Sequence, residues 1–327
     1  MPTITHVPLI PDPSSLPWLS VVVVSYNVRE LLGACLRSLR AAGAALPLQL
    51  LVVDNGSADG SAAMVAREFP EAELLDLGRN AGFSAANNAA IERAIAPEIL
   101  LLNPDTEVPP GALPALHAFL AAQPRCGVVG PRLLKSDGSF QPSAWPQPTL
   151  RSVLRDHLLP PPWRRRAAAP PAAPRRVGWV SGAALLTRRA VIDAIGPLDE
   201  AFFWSEDVDF CRRAAAARWE VWYAPQAAIV HHGSRSVPSN RGAVIYHQYR
   251  SKAHFFGKHH SRAEWWALRA ILGVEVSAKL ALRALQPASP DRDDRIRAYR
   301  RVLAVLSSGI TLDPPALPDQ DETLSAC

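Results

Sequence analysis

Between residues 19 and 130, short apolar runs alternate with amphipathic stretches, and this alternation constrains the chain more than any other feature. The runs are LSVVVVS (19–25), LQLLVVD (48–54), AELLDL (72–77), EILLLN (98–103) and CGVVG (126–130). Their apolar residues are consecutive rather than alternate, which is the pattern of a strand covered on both faces. The segments between them have helical periodicity. Asn27 with Glu30 reads as a capping pair, and Gly43 follows a last periodic position as a C-cap does. Repeated strand and helix units predict an α/β fold, a mostly parallel Rossmann-like sheet with helices on both faces.

At 327 residues the chain is long enough for two domains or one large α/β unit. It contains no run of 18 or more uncharged apolar residues, so no spanning helix is expected. The N-terminal segment lacks a basic start followed by an apolar core, so it does not read as a secretory signal, and a cytoplasmic protein is expected. Cys35, Cys126, Cys211 and Cys327 are scattered without a C-x-x-C pair, which argues against a disulfide framework or structural zinc and for buried thiols. The net charge of +5 is unevenly placed. Nine arginines lie between Arg151 and Arg189 against one acid, Asp156, and eight basic residues lie between Arg241 and Arg283 against two glutamates. Such excess suits a phosphate-bearing partner or an anionic membrane surface. No nucleic-acid-reading motif accompanies it, so no nucleic acid is expected.

The second half has a different texture. LLKSDGSFQPS reads as a hairpin around Asp137-Gly138, and the Pro, Arg and Ala stretch 160–176 as a mobile loop. Order resumes at VGWVSGAALLTRRAVIDAIG, followed by an acidic helix and the strands WEVWYAP and AAIVHHGS. Beyond residue 243 the pattern is helical. Trp265, Trp266, Leu268, Ile271 and Leu272 beside Arg262, Arg269 and Lys279 describe an amphipathic helix, suited either to packing on the domain or to lying on a membrane. The expected organisation is an N-terminal extension (1–17), an α/β domain (18–240, with a nucleotide-binding half to 130 and an acceptor-binding half after it), a basic helical region (241–310) and a disordered tail (311–327).

In open parallel sheets ligands bind beyond the carboxyl ends of the strands. Polar residues collect at those ends here: Ser25, Tyr26 and Asn27 after the first run, Asp54 and Asn55 after the second, Arg79 and Asn80 after the third, Asn103 and Asp105 after the fourth. Neither a dinucleotide fingerprint nor a phosphate loop is present. Phosphate is then handled otherwise, and Asp105 suits a divalent cation that neutralises a diphosphate, its alternative being a turn aspartate after Pro104.

FFWSEDVDF (202–210) crowds three acids among aromatic residues. A helix starting at Ser205, a good N-cap, puts Glu206, Asp209 and Arg213 on one face and allows Asp209 to pair with Arg213. Asp207 falls on the apolar face with Phe203, Phe210, Cys211 and Ala214, where an unpaired carboxylate is costly.

Together VVVVSYN, VVDNGSADGS, GRNAGFSAANN, LLLNPDTEV, GALLTRRAVIDAIGPLDEAFFWSEDVDFCRR and IVHHGSRS resemble, in the same order and over roughly residues 18 to 236, the family 2 glycosyltransferases of GT-A fold, notably their bacterial rhamnosyltransferase-like branch. The resemblance implies an inverting transferase that moves a sugar from a nucleotide-diphosphate donor, dTDP-rhamnose or else a UDP-sugar, to a glycan or lipid-linked acceptor in cell-envelope polysaccharide synthesis. It puts nucleotide contacts on Ser25, Tyr26, Asn27, Asp54, Asn55, Arg79, Asn80 and Asn103. Mg²⁺ or Mn²⁺ falls on Asp105, with His231 or its neighbour His232 completing the shell; the family's D-x-D stands here as Asn103-Pro104-Asp105, so one acid is missing. Asp207 becomes the general base, Glu206 orients the acceptor, and Trp204 and Trp179 stack on a sugar face. The basic segments, Arg164 to Arg166 and the 247–285 helices, suit a lipid-linked diphosphate at the inner face of the cytoplasmic membrane. The competing readings are a nucleotidyltransferase, for which the glycine-rich basic loop is missing, and a noncatalytic membrane-associated nucleotide or sugar binder.

Overall fold

The computed structural model describes residues 17–43, 46–158, 171–233 and 241–308. The first half runs β1 (Leu19–Ser25), α1 (Arg29–Gly43), β2 (Leu48–Asp54), α2 (Ser61–Glu68), β3 (Glu73–Asp76), α3 (Phe83–Arg93), β4 (Glu98–Leu102), β5 (Thr106–Glu107), α4 (Ala112–Ala122) and β6 (Cys126–Leu134). It continues with β7 (Phe140–Gln141), β8 (Ala144–Trp145), α5 (Leu150–Leu158), β9 (Arg175–Arg176), β10 (Trp179–Val180), β11 (Ala184–Arg188), α6 (Arg189–Ile195), α7 (Glu206–Ala216) and β12 (Glu220–His231). Three long helices follow, α8 (Arg241–His259), α9 (Arg262–Ala284) and α10 (Pro290–Ser307).

Each apolar run forms a strand, and the main sheet has the order β3-β2-β1-β4-β11-β6-β12-β5. Strands β1 to β4 are mutually parallel, with Ser25 beside Asp54 and Val23 beside Leu102, so the polar strand ends share one edge. Both faces are covered. Val21, Val23, Val52 and Leu100 pack with Leu32, Leu36 and Leu116 on one side, while Val22, Val53, Ile99 and Leu101 pack with Phe83, Ile91, Phe210 and Ala214 on the other. Such two-sided burial is what unbroken apolar strands require.

Strand β11 runs antiparallel to both its neighbours, β4 and β6. A reversed strand delivers the loop before it, rather than the loop after it, to the ligand edge. Ser181, Gly182 and Ala183 arrive there for that reason, and the Asn103 N–H donates to the Ala183 carbonyl at 3.0 Å. The two expected strands WEVWYAP and AAIVHHGS are one, β12, interrupted by a register shift between Ala224 and Ala228, where Pro225 withholds a ladder donor. The 133–141 hairpin forms as β6 and β7.

Several local expectations change. Asn27 is not a cap: it takes a left-handed backbone (φ 53°), and the Arg29 N–H at the helix start donates instead to Asp59 Oδ2 at 2.8 Å. Gly43 is the last residue of α1 rather than the residue after it. Ser205 precedes α7 with φ 74° and makes no side-chain cap, because that conformation turns its hydroxyl from the helix N–H groups. Arg175 and Arg176, expected in a mobile loop, form β9 on the edge of β12. Arg164 to Arg166, Cys327, the N-terminal extension before Pro17 and the expected tail lie outside the described residues. Cys35, Cys126 and Cys211 are buried free thiols, as expected.

The C-terminal helices start where local chemistry says they should. Ser261 and Glu264 form a reciprocal capping box on α9, and Ser289 caps α10 with Pro290 in its first turn. The apolar side of α9 (Leu268, Leu272, Val276) packs with Tyr249, Phe255 and Phe256 of α8, with Tyr299 and Val302 of α10, and with Val153, Phe202 and Val208. The helices therefore share a core with the start of α7. No helix among the described residues is long and apolar enough to cross a membrane. Leu272 is fully buried in this third core, so Leu272→Ala is expected to lower stability by about 2 to 5 kcal/mol in urea unfolding; an unchanged midpoint would mean that the helices do not pack as described.

Candidate active site

The carboxyl edge of the sheet is built from loops fastened to one another. The Asn27 N–H donates to Ser57 Oγ at 3.0 Å, and Asn27 Oδ1 accepts from the Ala58 N–H at 2.8 Å. Asn55, fully buried, donates through Nδ2 to Asn80 Oδ1 at 2.9 Å and accepts from the Ala81 N–H at 2.8 Å. Asn80 Oδ1 accepts also from the Gly82 N–H. Gly56 (φ 82°) lies so close that a Cβ there would sit 2.6 Å from the Arg79 backbone. The Asn27, Asn55 and Asn80 side chains thus fasten loops, Arg79 is exposed and Tyr26 half-buried. Ser25 Oγ and Asp54 Oδ1 differ: both are buried without a partner, although Asp54 Oδ2 accepts from the Ser57 N–H at 2.9 Å. Unpartnered buried acceptors are costly, and a donor on a ligand relieves them.

At the end of β4, Asn103 Oδ1 and Asp105 Oδ1 are likewise buried and accept no hydrogen bond. Antiparallel pairing of β12 with β5 sets His231 opposite Thr106, and the His232 N–H donates to the Asp105 carbonyl. His231 Nε2 thereby comes within 3.2 Å of Asp105 Oδ1, an ion-pair distance without hydrogen-bond alignment. On its other side, His231 Nδ1 sits 3.0 Å from the Gln141 side-chain amide. His232 points elsewhere, to Glu107 at 2.7 Å and Ser136 at 2.8 Å. Of the two histidines, His231 is the one beside Asp105. No group of three or more His, Cys, Asp and Glu side chains converges as a complete metal shell among the described residues. One carboxylate and one imidazole with an unsatisfied oxygen between them fit a cation whose remaining ligands come from a diphosphate.

Beside this edge opens a cavity of about 480 Å³. Asn103, Trp179, Trp204, Glu206, Asp207 and His231 all line it, joined by Gly182 and by Gln248, Lys252, Phe255 and Phe256 of α8. Asp207 Oδ2 accepts from the Gly182 N–H at 2.9 Å and Oδ1 from the Val208 N–H at 2.7 Å. Glu206 Oε2 is buried with no partner at all. Burial pushes both carboxyls above the ordinary carboxylate range; Glu206 is raised further because the neighbouring Asp207 charge adds to its burial and no side chain bonds it, whereas two N–H groups moderate Asp207. Trp145 stacks on Trp179 at 4.2 Å, and both line the cavity.

Asp209 has a different fate. It is fully buried and accepts from Arg213 at 2.7 Å, Lys258 at 2.8 Å and His259 at 2.6 Å. Burial alone would raise its pKa, but bonds from His259, Lys258 and Arg213 hold it well below the usual range. Only its pairing with Arg213 was legible locally; Lys258 and His259 lie on α8. Gln141, Gly182 and Lys252 were absent from the sequence reading because a lone glutamine, glycine or lysine carries no local signal.

The sequence profile of the glycosyl transferase family 2 matches residues 20–169. Over 304 residues, covering 87% of this chain and 97% of the relative, the chain is 33% identical to the N-acetylglucosaminyl-diphospho-decaprenol L-rhamnosyltransferase of Mycobacterium tuberculosis (strain ATCC 25618 / H37Rv). The chain belongs to glycosyltransferase family 2. It is a glycosyltransferase, and an inverting mechanism fits the family. A shorter similarity, 32% over 140 residues (41% of this chain, 42% of the relative), links it to the undecaprenyl-phosphate 4-deoxy-4-formamido-L-arabinose transferase of Salmonella enteritidis. The fold is GT-A: it matches the mannosyltransferase PcManGT from Pyrobaculum calidifontis, solved with GDP-Man and Mn²⁺, with a TM-score of 0.54 over 90% of this chain and 88% of that one, at 18% identity.

The raised Glu206 carboxyl has a measurable consequence. Below the ordinary glutamate pKa both folded and unfolded states are protonated; above it the unfolded chain ionises first, so stability falls with rising pH until the folded group also ionises. Glu206→Gln lacks this loss and is expected to exceed the wild type by about 2 kcal/mol more at pH 8 than at pH 5 in urea unfolding. A pH-independent difference would show that Glu206 is not raised.

Proposed function

We propose that this glycosyltransferase moves rhamnose from dTDP-rhamnose, or failing that another sugar from a UDP-sugar, onto a lipid-linked N-acetylglucosaminyl diphosphate, with Asp207 as general base. The observation that carries the chemistry is the Asp207 carboxylate, clamped by the Gly182 and Val208 N–H groups on the wall of a cavity large enough for a sugar. The choice of donor sugar and acceptor rests on the mycobacterial relative, whose name states both the rhamnosyl transfer and the diphospho-decaprenol acceptor.

In this reading the acceptor hydroxyl is hydrogen-bonded to Asp207, which takes its proton as the oxygen attacks the anomeric carbon of the donor from the face opposite the leaving diphosphate. Inversion follows from that single displacement. A base needs a proton affinity near the working pH, and burial supplies it, while the two N–H donors keep the carboxylate aimed. Glu206, raised higher, is protonated at neutral pH and donates to an acceptor oxygen. Asp54 Oδ1 and Ser25 Oγ accept from the nucleoside. Asp105 and His231 would hold Mg²⁺ or Mn²⁺, which would supply positive charge to a nucleoside diphosphate leaving group in place of a general acid.

The acceptor's lipid implies work at the inner face of the cytoplasmic membrane. The outward side of α9 and the residue after it suit that place: Trp266, Val274, Leu282 and Leu285 are exposed at 50%, 62%, 64% and 84%, in an uncharged row flanked by the partly exposed Lys279 and Arg283.

Asp207→Asn is expected to reduce transfer about a thousandfold while the melting-temperature shift given by dTDP or UDP with Mn²⁺ stays as in wild type; near-normal turnover would remove Asp207 from the role. Wild type is expected to sediment with anionic vesicles, and a Leu282→Ser/Leu285→Ser double variant to remain largely in the supernatant; equal partitioning of the two proteins would sink the membrane-facing assignment of α9.

A further inference from the structure

One charged cluster around the cavity is not used by this chemistry. Lys252 of α8 lines the same cavity as Glu206 and Asp207. Its ammonium is 2.5 Å from His157 Nε2 of α5. His157 Nδ1 is 2.7 Å from Glu275 of α9, so the imidazole donates its Nδ1 proton to that carboxylate and accepts from Lys252 at Nε2. Glu275 is saturated: it accepts also from Tyr249 at 2.8 Å and pairs with Lys279 at 2.8 Å. Its carboxyl, which burial would raise, is held down to about 2 by His157 and Lys279.

The result is a lysine whose hydrogen-bond partner is an imidazole rather than a carboxylate. Among the described residues Lys252 forms no ion pair, and the charges that act on it are Glu275, Lys279 and, on α5, Asp156. Burial pushes its ammonium down to about 8. A desolvated cation without a carboxylate partner is costly in the empty cavity, and an anion brought in by a ligand offsets that cost. The cavity is thus lined both by an acid pair and by a lysine that, among the described residues, no carboxylate contacts directly, although Glu275 and Asp156 stabilise its charge from further off; this suits a ligand carrying both a hydroxyl and an anion.

We propose that Lys252, held by the His157–Glu275 relay, is the residue that binds the diphosphate of the acceptor while the acceptor hydroxyl meets Asp207. This rests on the glycosyl-transfer reading above and adds a specificity determinant to it: the enzyme selects sugars that carry a phosphate. The donor diphosphate has the same chemistry and is expected at the Asp105 edge, whose Asn103 and His231 line the same cavity as Lys252, so the donor KM is the measurement that separates the two.

The test compares two acceptors, a short-chain prenyl N-acetylglucosaminyl diphosphate and an octyl N-acetylglucosaminide without phosphate. Lys252→Met keeps the length of the side chain and removes the charge. It is expected to raise KM for the diphosphate acceptor about 10- to 100-fold and to leave kcat, the donor KM and the KM for the octyl glycoside within a few-fold of wild type. Lys252→Arg should recover most of the loss. Equal effects on both acceptors, or a rise confined to the donor KM, would overturn the proposal. Wild type supplies a second measurement free of any folding defect. Its affinity for the diphosphate acceptor should weaken above pH 8 relative to the octyl glycoside as Lys252, facing His157, Glu275, Lys279, Tyr249 and Asp156, loses its proton; Glu206, which shares the cavity with Asp207 and ionises in the same range, is removed by repeating the titration in Glu206→Gln, and a constant ratio there would count against the proposal. Calorimetric binding of the two acceptors without donor repeats the comparison in the absence of turnover. Failure of wild type to transfer any sugar would then count against the Asp207 reading, while the binding contrast still decides Lys252.

Discussion

The site depends on one buried carboxylate that takes no part in the chemistry. Asp209 receives Arg213 from its own helix and Lys258 and His259 from the end of α8, with no exposure to solvent. Breaking a buried, multiply bonded charge of this kind typically costs about 3 to 5 kcal/mol. The network joins the first turn of α7, which lies against the sheet, to the C-terminal helices. With that turn fixed, Glu206 and Asp207 face the cavity and Phe210, Cys211 and Ala214 face the core. Three acids within four positions thus have separate environments, and the difference in partners, rather than in residue type, sets their proton affinities.

Reversal of β11 is the second constraint. In a wholly parallel sheet the ligand edge is built from the loops that follow strands. Here the loop before β11 reaches that edge and contributes the Gly182 N–H, the donor that holds Asp207 across from the strand ends. The pairing of β12 with β5 acts similarly at the other side, carrying His231 to Asp105 while His232, one residue on, is turned to Glu107 and Ser136. Since side chains alternate along a strand, the choice between neighbouring histidines follows from strand register.

Much of the site was legible without coordinates. The strands of the first half, their polar ends and the pairing of Asp209 with Arg213 follow from spacing; helical spacing also put Glu206 on the face of Asp209 and Arg213, and Asp207 with Phe210, Cys211 and Ala214, whereas Glu206 and Asp207 together line the cavity. Asn27, Asn55 and Asn80 look from the sequence like ligand-facing groups and are instead tied to loop backbone or to one another, because turn residues and ligand-binding residues are drawn from the same polar set. The α9 helix was recognisable as amphipathic. Its apolar core-facing row closes a shared core, and a second, uncharged row faces outward.

The sequence alone determined the alternation of strand and helix, the family, and the presence of a carboxylate where a carboxylate is costly. These are properties of short windows, in which periodicity and residue type carry the signal. Tertiary structure alone decided which histidine stands beside Asp105, which polar groups are already spent, and that Lys252 has an imidazole rather than an acid for a partner. Those outcomes depend on hydrogen bonds between residues far apart in the chain, such as Lys252 with His157 and Asp209 with His259. Whether a buried polar group is satisfied is a property of the packed molecule, and no local pattern encodes it.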